Sequence, residues 1–222
     1  MRQNRHDDRL TVKNRLYGWR PYLVFHFDGD PDKGRPLPAD VIEAIRADGQ
    51  SATESVAGMH TRQSVINTLS NVYVLAGMND DARTLLQEEI GQSKTPYYFM
   101  GSLASLEERE GNNAAALDWR QKAYKTSEGP ATRIRWWASY VEALTRLAPE
   151  DDETILAAAL LPFDPDQGMA DFYSGANFRN LQRAASSLEA WDDGQGRLAA
   201  FREALDASCE AAGEACKDVF EP

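Results

Sequence analysis

The feature that most constrains this chain is a repetition in its middle. The stretch "LSNVYVLAGMNDDARTLLQEEI" (69–90) lies over "LASLEEREGNNAAALDWRQKAY" (103–124) without a gap, at an offset of 34 residues. Leu69 falls on Leu103, Gly77 on Gly111, Ala82 on Ala116 and Ile90 on Tyr124. A period of that length accommodates two antiparallel helices and the tight turn between them, and one such unit cannot bury its apolar face alone. Glycine at 77 and 111 suits the left-handed residue that closes a first helix, because it has no Cβ to clash. Asn79 and Asn112 are expected to cap the second helix, with Asp80 and Asp81 near its positive end. Ala82 and Ala116 are small where two helices must come close.

This pattern resembles the tetratricopeptide repeat, which implies a mainly α fold of stacked antiparallel helical hairpins. Ser70 and Tyr73 fit the first helix of the pattern better than Ala104 and Glu107 do, and no clean third unit follows at 137–158. Helical spacing nevertheless continues to the end of the chain. Pro130 opens a segment in which Ile134, Trp137, Val141, Leu144 and Ala148 form one apolar stripe and Trp136, Tyr140 and Leu147 a second, so this helix is expected to be covered on two sides. A short helix in "DDETILAAALL" stops before Pro162. Phe178, Leu181, Ala185 and Leu188 share one face, as do Leu198, Phe201, Leu205 and Cys209. About seven or eight helices are expected after residue 38.

One stretch reads differently. In "GWRPYLVFHFDGD" (18–30), Leu23, Phe25 and Phe27 alternate with Tyr22, Val24 and His26, the period of a β-strand, and both faces are apolar apart from the imidazole. A short N-terminal strand or hairpin is therefore expected ahead of the helices. Three regions follow: 1–35 as a basic arm plus this strand, 36–150 as the helical repeats, and 151–222 as C-terminal helices.

Charge narrows the function classes. The 222 residues carry a net charge of −11, which opposes general binding to a phosphate backbone. Only the first twenty residues run the other way, at +4, through Arg2, Arg5, Arg9, Lys13, Arg15 and Arg20 against Asp7 and Asp8. They read either as a basic arm for an acidic partner or as a solvated terminus. No apolar run reaches the roughly 20 residues a membrane span needs, and the first thirty hold no secretion signal.

Chemistry is sparse. His6, His26 and His60 lie far apart with no second ligand at metal spacing. "DGDPDKG" (28–34) places Asp28, Asp30 and Asp32 like a calcium loop, but its glycine comes at position seven and its twelfth residue is Ala39, so it reads as an acidic turn. There is no nucleophile elbow, phosphate loop or zinc-protease motif. No cofactor is called for. Cys209 and Cys216, the chain's two cysteines, are seven apart. An unbroken helix would hold them about 10 Å apart, too far for a disulfide, while Gly213 between them supplies a break. A structural disulfide in an oxidising compartment and two reduced apolar residues stay open as alternatives.

A second resemblance bears on the strand. "YGWRPYLVFHFDGDPDKGR" looks like the segment of a thioredoxin fold in which a cis-proline leads into a strand and then a turn. On that match Pro21 holds the cis-proline position, 22–27 the strand and 28–34 the turn. "TRQSVINTLSNVYVLAGMNDDARTLL", "SKTPYYFMGSLA" and the terminal cysteine pair are similar to the C-terminal helical region of bacterial exported thioredoxin-like proteins. The resemblance covers roughly 16–222. It implies a helical module with a remnant of a redox domain, and a periplasmic location; a start at Met1 without a leader implies the cytoplasm instead. The family's C-x-x-C is absent from these 222 residues.

The leading expectation is a noncatalytic helical repeat module that binds a protein or peptide, with neither nucleic acid nor membrane as partner. Asn67, Tyr73, Tyr97, Tyr98, Trp119 and Trp137 are the candidate groove residues, each with core packing as its competing reading. The alternative is a fragment of a thiol-disulfide oxidoreductase whose C-x-x-C domain lies outside this chain. A third expectation is self-association through the strand edge at 21–28.

Overall fold

A computed structural model describes residues 10–28, 36–56, 58–164, 166, 169, 171–213 and 218–220. Eleven α-helices run through them: α1 Val12–Tyr17, α2 Arg20–His26, α3 Ala39–Glu54, α4 Met59–Leu75, α5 Asn79–Gln92, α6 Tyr97–Arg109, α7 Asn113–Thr126, α8 Pro130–Leu147, α9 Asp152–Leu160, α10 Gly175–Asp192 and α11 Ala199–Ala212. A 3₁₀ turn at Leu161–Phe163 follows α9. The chain forms two compact units, 1–106 and 107–222, divided within α6.

The sequence repeat is a structural repeat. α4 and α6 end at Leu75 and Arg109, and α5 and α7 begin at Asn79 and Asn113 and end at Gln92 and Thr126, so all three boundaries recur after 34 residues. Both turns are the same motif. The Met78 N–H donates to the Tyr73 carbonyl (2.9 Å) and the Gly77 N–H to Val74 (3.1 Å); Asn112 donates to Glu107 (2.8 Å) and Gly111 to Glu108 (3.0 Å). This six-to-one and five-to-two pairing is the Schellman closure, and its C′ residue must be left-handed. Gly77 and Gly111 supply it at φ +69° and +79°. Ala82 and Ala116 are fully buried, as small residues at a close helix approach should be.

The capping expectation fails in both turns, by position at Asn79 and by hydrogen bonding at Asn112. Asn79 is already inside α5, whose cap position belongs to Met78. Asn112 does occupy the cap of α7 but makes no capping bond with its side chain; its amide donates to the Glu107 carboxylate at 2.8 Å. The Schellman backbone bonds set the helix start in both units, so an asparagine there is not required.

The expected strand is a helix. Residues 22–27 lie in and just beyond α2, no strand occurs among the described residues, and pairing through a strand edge at 21–28 loses its basis. The deciding pattern is Leu16, Trp19, Leu23 and Phe27, spaced by three, four and four, which are 2%, 3%, 1% and 7% exposed. The strand reading would have put Phe25 on the same face as Leu23 and Phe27; it is 84% exposed. Pro21 lies in the first turn of α2, where its missing N–H costs no hydrogen bond. No peptide bond is cis among the described residues, so Pro21 is not a cis-proline. The acidic turn beyond Asp28 falls at 29–35, outside the described residues, as do Arg2, Arg5 and Arg9 of the basic arm.

In the first unit α4 is the central helix, packed by α1, α2, α3 and α5. The Trp19 indole N–H donates to Asp48 on α3 at 2.9 Å, which ties the α1–α2 corner to that helix. In the second unit α8 is central, against α7, α9 and α10, and α11 packs on α9. Its two-sided apolar surface is accounted for: Ile134, Trp137, Val141 and Leu144 are buried on one stripe and Trp136 and Tyr140 on the other. Near the end of α6, Glu108 accepts hydrogen bonds from Arg120 of α7 and Arg146 of α8. Among the described residues nine α-helices follow residue 38, one more than the upper end of the expectation.

Candidate functional site

The first unit contains an open groove of about 480 Å³ between α3 and α5, with α4 as its floor. Its existence begins with Gly49, in the interior of α3. A Cβ built there would stand 2.6 Å from the Tyr73 hydroxyl and 2.9 Å from a Leu69 methyl, both on α4. Without a side chain at 49, α3 approaches α4 closely and the Tyr73 hydroxyl keeps an opening above it.

Tyr73 is 7% exposed. Its ring is packed away, its oxygen borders the groove, and among the described residues it has no hydrogen-bond partner. Burial pushes its pKa up to about 12, helped by the Asp81 carboxylate and opposed by the Arg46 guanidinium. At neutral pH it is a phenol with a proton to donate and lone pairs to share.

The groove walls are charged. Arg46 of α3 reaches Asp81 in the first turn of α5 with two hydrogen bonds, Nε to Oδ1 at 2.8 Å and Nη2 to Oδ2 at 2.9 Å. This paired-fork geometry is the strongest arrangement available to a guanidinium and a carboxylate. Asp80 pairs with Arg83 at 3.0 Å on the same helix. Glu88 and Thr84 complete the α5 wall. Where α3 and α5 end and α4 begins, Arg62 of α4 binds Glu89 of α5 (Nε to Oε2, 3.0 Å) and the Thr53 carbonyl of α3 at 3.1 Å. Arginine thus ties α3 to α5 at one place along the groove and all three helices at another.

A second cavity, of about 370 Å³, lies in the other unit against α11 and residues 218–220. Its tyrosine hydroxyl is already satisfied: Tyr173 Oη is 2.7 Å from Ser208 Oγ and 3.2 Å from the Leu205 carbonyl. The Tyr73 hydroxyl of the first groove has no such partner among the described residues.

Of the six groove candidates, Tyr73 is the one that lines this groove. Trp137 is fully buried and donates its indole N–H to the Ala158 carbonyl at 2.8 Å, a core role. Tyr97 is buried, with its ring 4.8 Å from the half-buried Tyr98. Asn67 is half-buried and accepts from Ser102 Oγ at 3.4 Å, on the side of α4 that meets α6. Trp119, in the second unit, is half-buried with Lys122 Nζ 4.5 Å from its ring centre. Arg46, Gly49, Asp81, Thr84 and Glu88 were not anticipated; the one local sign was a glycine within the helical pattern of "ADVIEAIRADGQSATE", which marks a close approach. Cys209 is half-buried on α11, and Cys216 lies outside the described residues. Among the described residues no three His, Cys, Asp or Glu side chains are grouped to hold a metal, and no helix is long and apolar enough to cross a membrane.

The sequence matches no family model and no curated protein. Two solved structures of a Podosopora anserina protein with nearly identical TPR-like repeats, one of them a variant, are similar to this chain at 13% identity and a TM-score of 0.46. The alignments cover 90% and 88% of this chain and 98% and 97% of those chains. At that distance the fold and the function rest on the chain's own geometry.

Proposed function

We propose that this chain is a noncatalytic helical repeat module that binds a polypeptide partner, and that the partner docks in the groove formed by α3, α4 and α5. The observation that carries the reading is the Tyr73 hydroxyl, held by buried packing at the floor of an open groove with its hydrogen-bonding capacity unspent. A hydroxyl at the groove surface with no protein partner is open to a docked polar group. The open, two-walled shape suits an extended segment better than an enclosed small molecule. Its acidic walls oppose nucleic acid.

The test is selection from a random peptide display library on the immobilised chain, followed by binding measurements on the enriched peptides. Thr84→Trp places a large side chain in the mouth from an exposed position on α5, and circular dichroism checks that its helices are intact. Peptides that bind the parent and are lost on Thr84→Trp support the reading. Enrichment of no peptide, or of peptides indifferent to Thr84→Trp, overturns it.

A further inference from the structure

We infer that the groove selects a cationic side chain, a lysine or arginine of the partner polypeptide, which donates to the Tyr73 hydroxyl oxygen while the carboxylates of the α5 wall balance its charge. This rests on the polypeptide-binding reading above and specifies what the docked segment must carry.

Three features bear on the occupant: two make room and a hydrogen-bonding partner for it, and the charge of the lining decides its sign. The first is the Tyr73 hydroxyl, which borders the groove on a side chain only 7% exposed and has no partner among the described residues. A tyrosine oxygen can serve either a donor or an acceptor, so the surroundings must decide. The second is the charge on the lining: Asp81 is paired with Arg46 and Asp80 with Arg83, which leaves the Glu88 carboxylate as the lining charge without an ion-pair partner among the described residues. Arg46 is not available to an anion, because its fork is closed on Asp81. Glu88 has no ion-pair partner among the described residues, and it lines the same groove as Tyr73. An anionic ligand would meet three carboxylates and one occupied guanidinium, and desolvating it there would be unfavourable. A lysine or arginine meets the opposite conditions, and its long methylene stem can lie along the apolar side chain of Leu85, which lines the groove. The third is Gly49. Its missing Cβ leaves open the space directly over the hydroxyl that any other residue would fill at 2.6 Å from the oxygen. The sign of the local field agrees, since Asp81 disfavours ionisation of Tyr73 more than Arg46 promotes it.

The experiment measures fluorescence anisotropy of labelled oligoarginine, oligolysine and oligoglutamate peptides on the full chain. Four variants are compared with the parent. Tyr73→Phe removes the hydroxyl and keeps the ring, Glu88→Gln removes one groove charge, and Thr84→Trp blocks the mouth. Glu150→Gln removes an equal charge from an exposed position outside the groove. The basic peptides are expected to bind and oligoglutamate not to. Tyr73→Phe should weaken binding about 5- to 10-fold, Glu88→Gln about 3- to 5-fold at low salt, and Glu150→Gln by less than about 1.5-fold. Equal losses for Glu88→Gln and Glu150→Gln, with Tyr73→Phe binding like the parent, would mean general attraction to an acidic chain and would overturn the inference. The display selection separates the two readings. Peptides sensitive to Thr84→Trp that share a basic residue at one fixed position support both. Peptides sensitive to it without a basic preference overturn the cationic inference and leave the polypeptide reading standing.

Discussion

Gly49 is where helix propensity and packing oppose each other, so Gly49→Ala gives a prediction whose sign is informative. In an exposed helix interior, alanine in place of glycine stabilises by about 1 kcal/mol. At 49 the added methyl meets the Tyr73 oxygen at 2.6 Å and two Leu69 methyls at 2.9 and 3.1 Å. Tyr73 and Leu69 are 7% and 1% exposed, so neither side chain has free space to swing into. Overpacking of this kind costs about 1–3 kcal/mol, which exceeds the propensity gain. The expected net effect is a destabilisation of about 1 kcal/mol. Tyr73→Phe removes the nearest clash at little cost of its own, because the lost hydroxyl has no hydrogen bond to break. In that background Gly49→Ala should become neutral within about 0.5 kcal/mol, giving a coupling near 1 kcal/mol in the double-mutant cycle. The assay is urea unfolding followed by circular dichroism and by tryptophan fluorescence, and coincident transitions license the two-state treatment. If Gly49→Ala alone stabilises by the full propensity increment, the close approach of α3 to α4 is wrong, and so is the geometry that opens the groove.

Other perturbations probe the rest of the architecture. Gly77→Ala and Gly111→Ala should each destabilise by about 1–2 kcal/mol, and by the same amount within error in urea unfolding, since both residues hold the same turn at φ +69° and +79°. Arg62→Met strands the buried Glu89 carboxylate and should cost about 3 kcal/mol, whereas adding Glu89→Leu should recover most of it, as the two urea midpoints will show. Glu108 is held below its ordinary 4.5 despite its partial burial, because Arg146 and Arg120 favour the charged form. Its contribution to stability is therefore present above pH 4.5 and lost as the pH falls through its depressed folded value; in Glu108→Gln the acid limb of the melting-temperature profile should be flatter there. Tyr73 should ionise near pH 12, about two units above an ordinary tyrosine. The tyrosinate absorbance difference between the parent and Tyr73→Phe should rise at that pH. A difference that rises near pH 10 would place the hydroxyl in water.

The repeat was legible in the sequence because its determinants are local. A left-handed residue closing a helix, two carbonyls waiting for the next two N–H groups, and a small residue at a close crossing are each needs of a few consecutive positions, and the 34-residue offset repeats them all. The stripes of α8, α10 and α11 were legible for the same reason, since one face of a helix is written at fixed spacing along one segment. The strand at 22–27 was misread because a short apolar run satisfies both periods. Leu23, Phe25 and Phe27 alternate, but Leu16, Trp19, Leu23 and Phe27 hold the helical stripe that α3 and α4 were placed to cover, and only that placement chooses between them. The groove residues follow the same division. Tyr73 could be nominated from its own helix, but Arg46 acquires meaning only when Asp81 comes within 2.8 Å across 35 residues of sequence. The sequence by itself determined the repeat helices, their turns and the period on which they pair. Which side of them remained open, and which hydroxyl was left at its floor, was decided by packing three separate segments together, because a cavity is a property of the atoms around it and none of its walls encodes it alone.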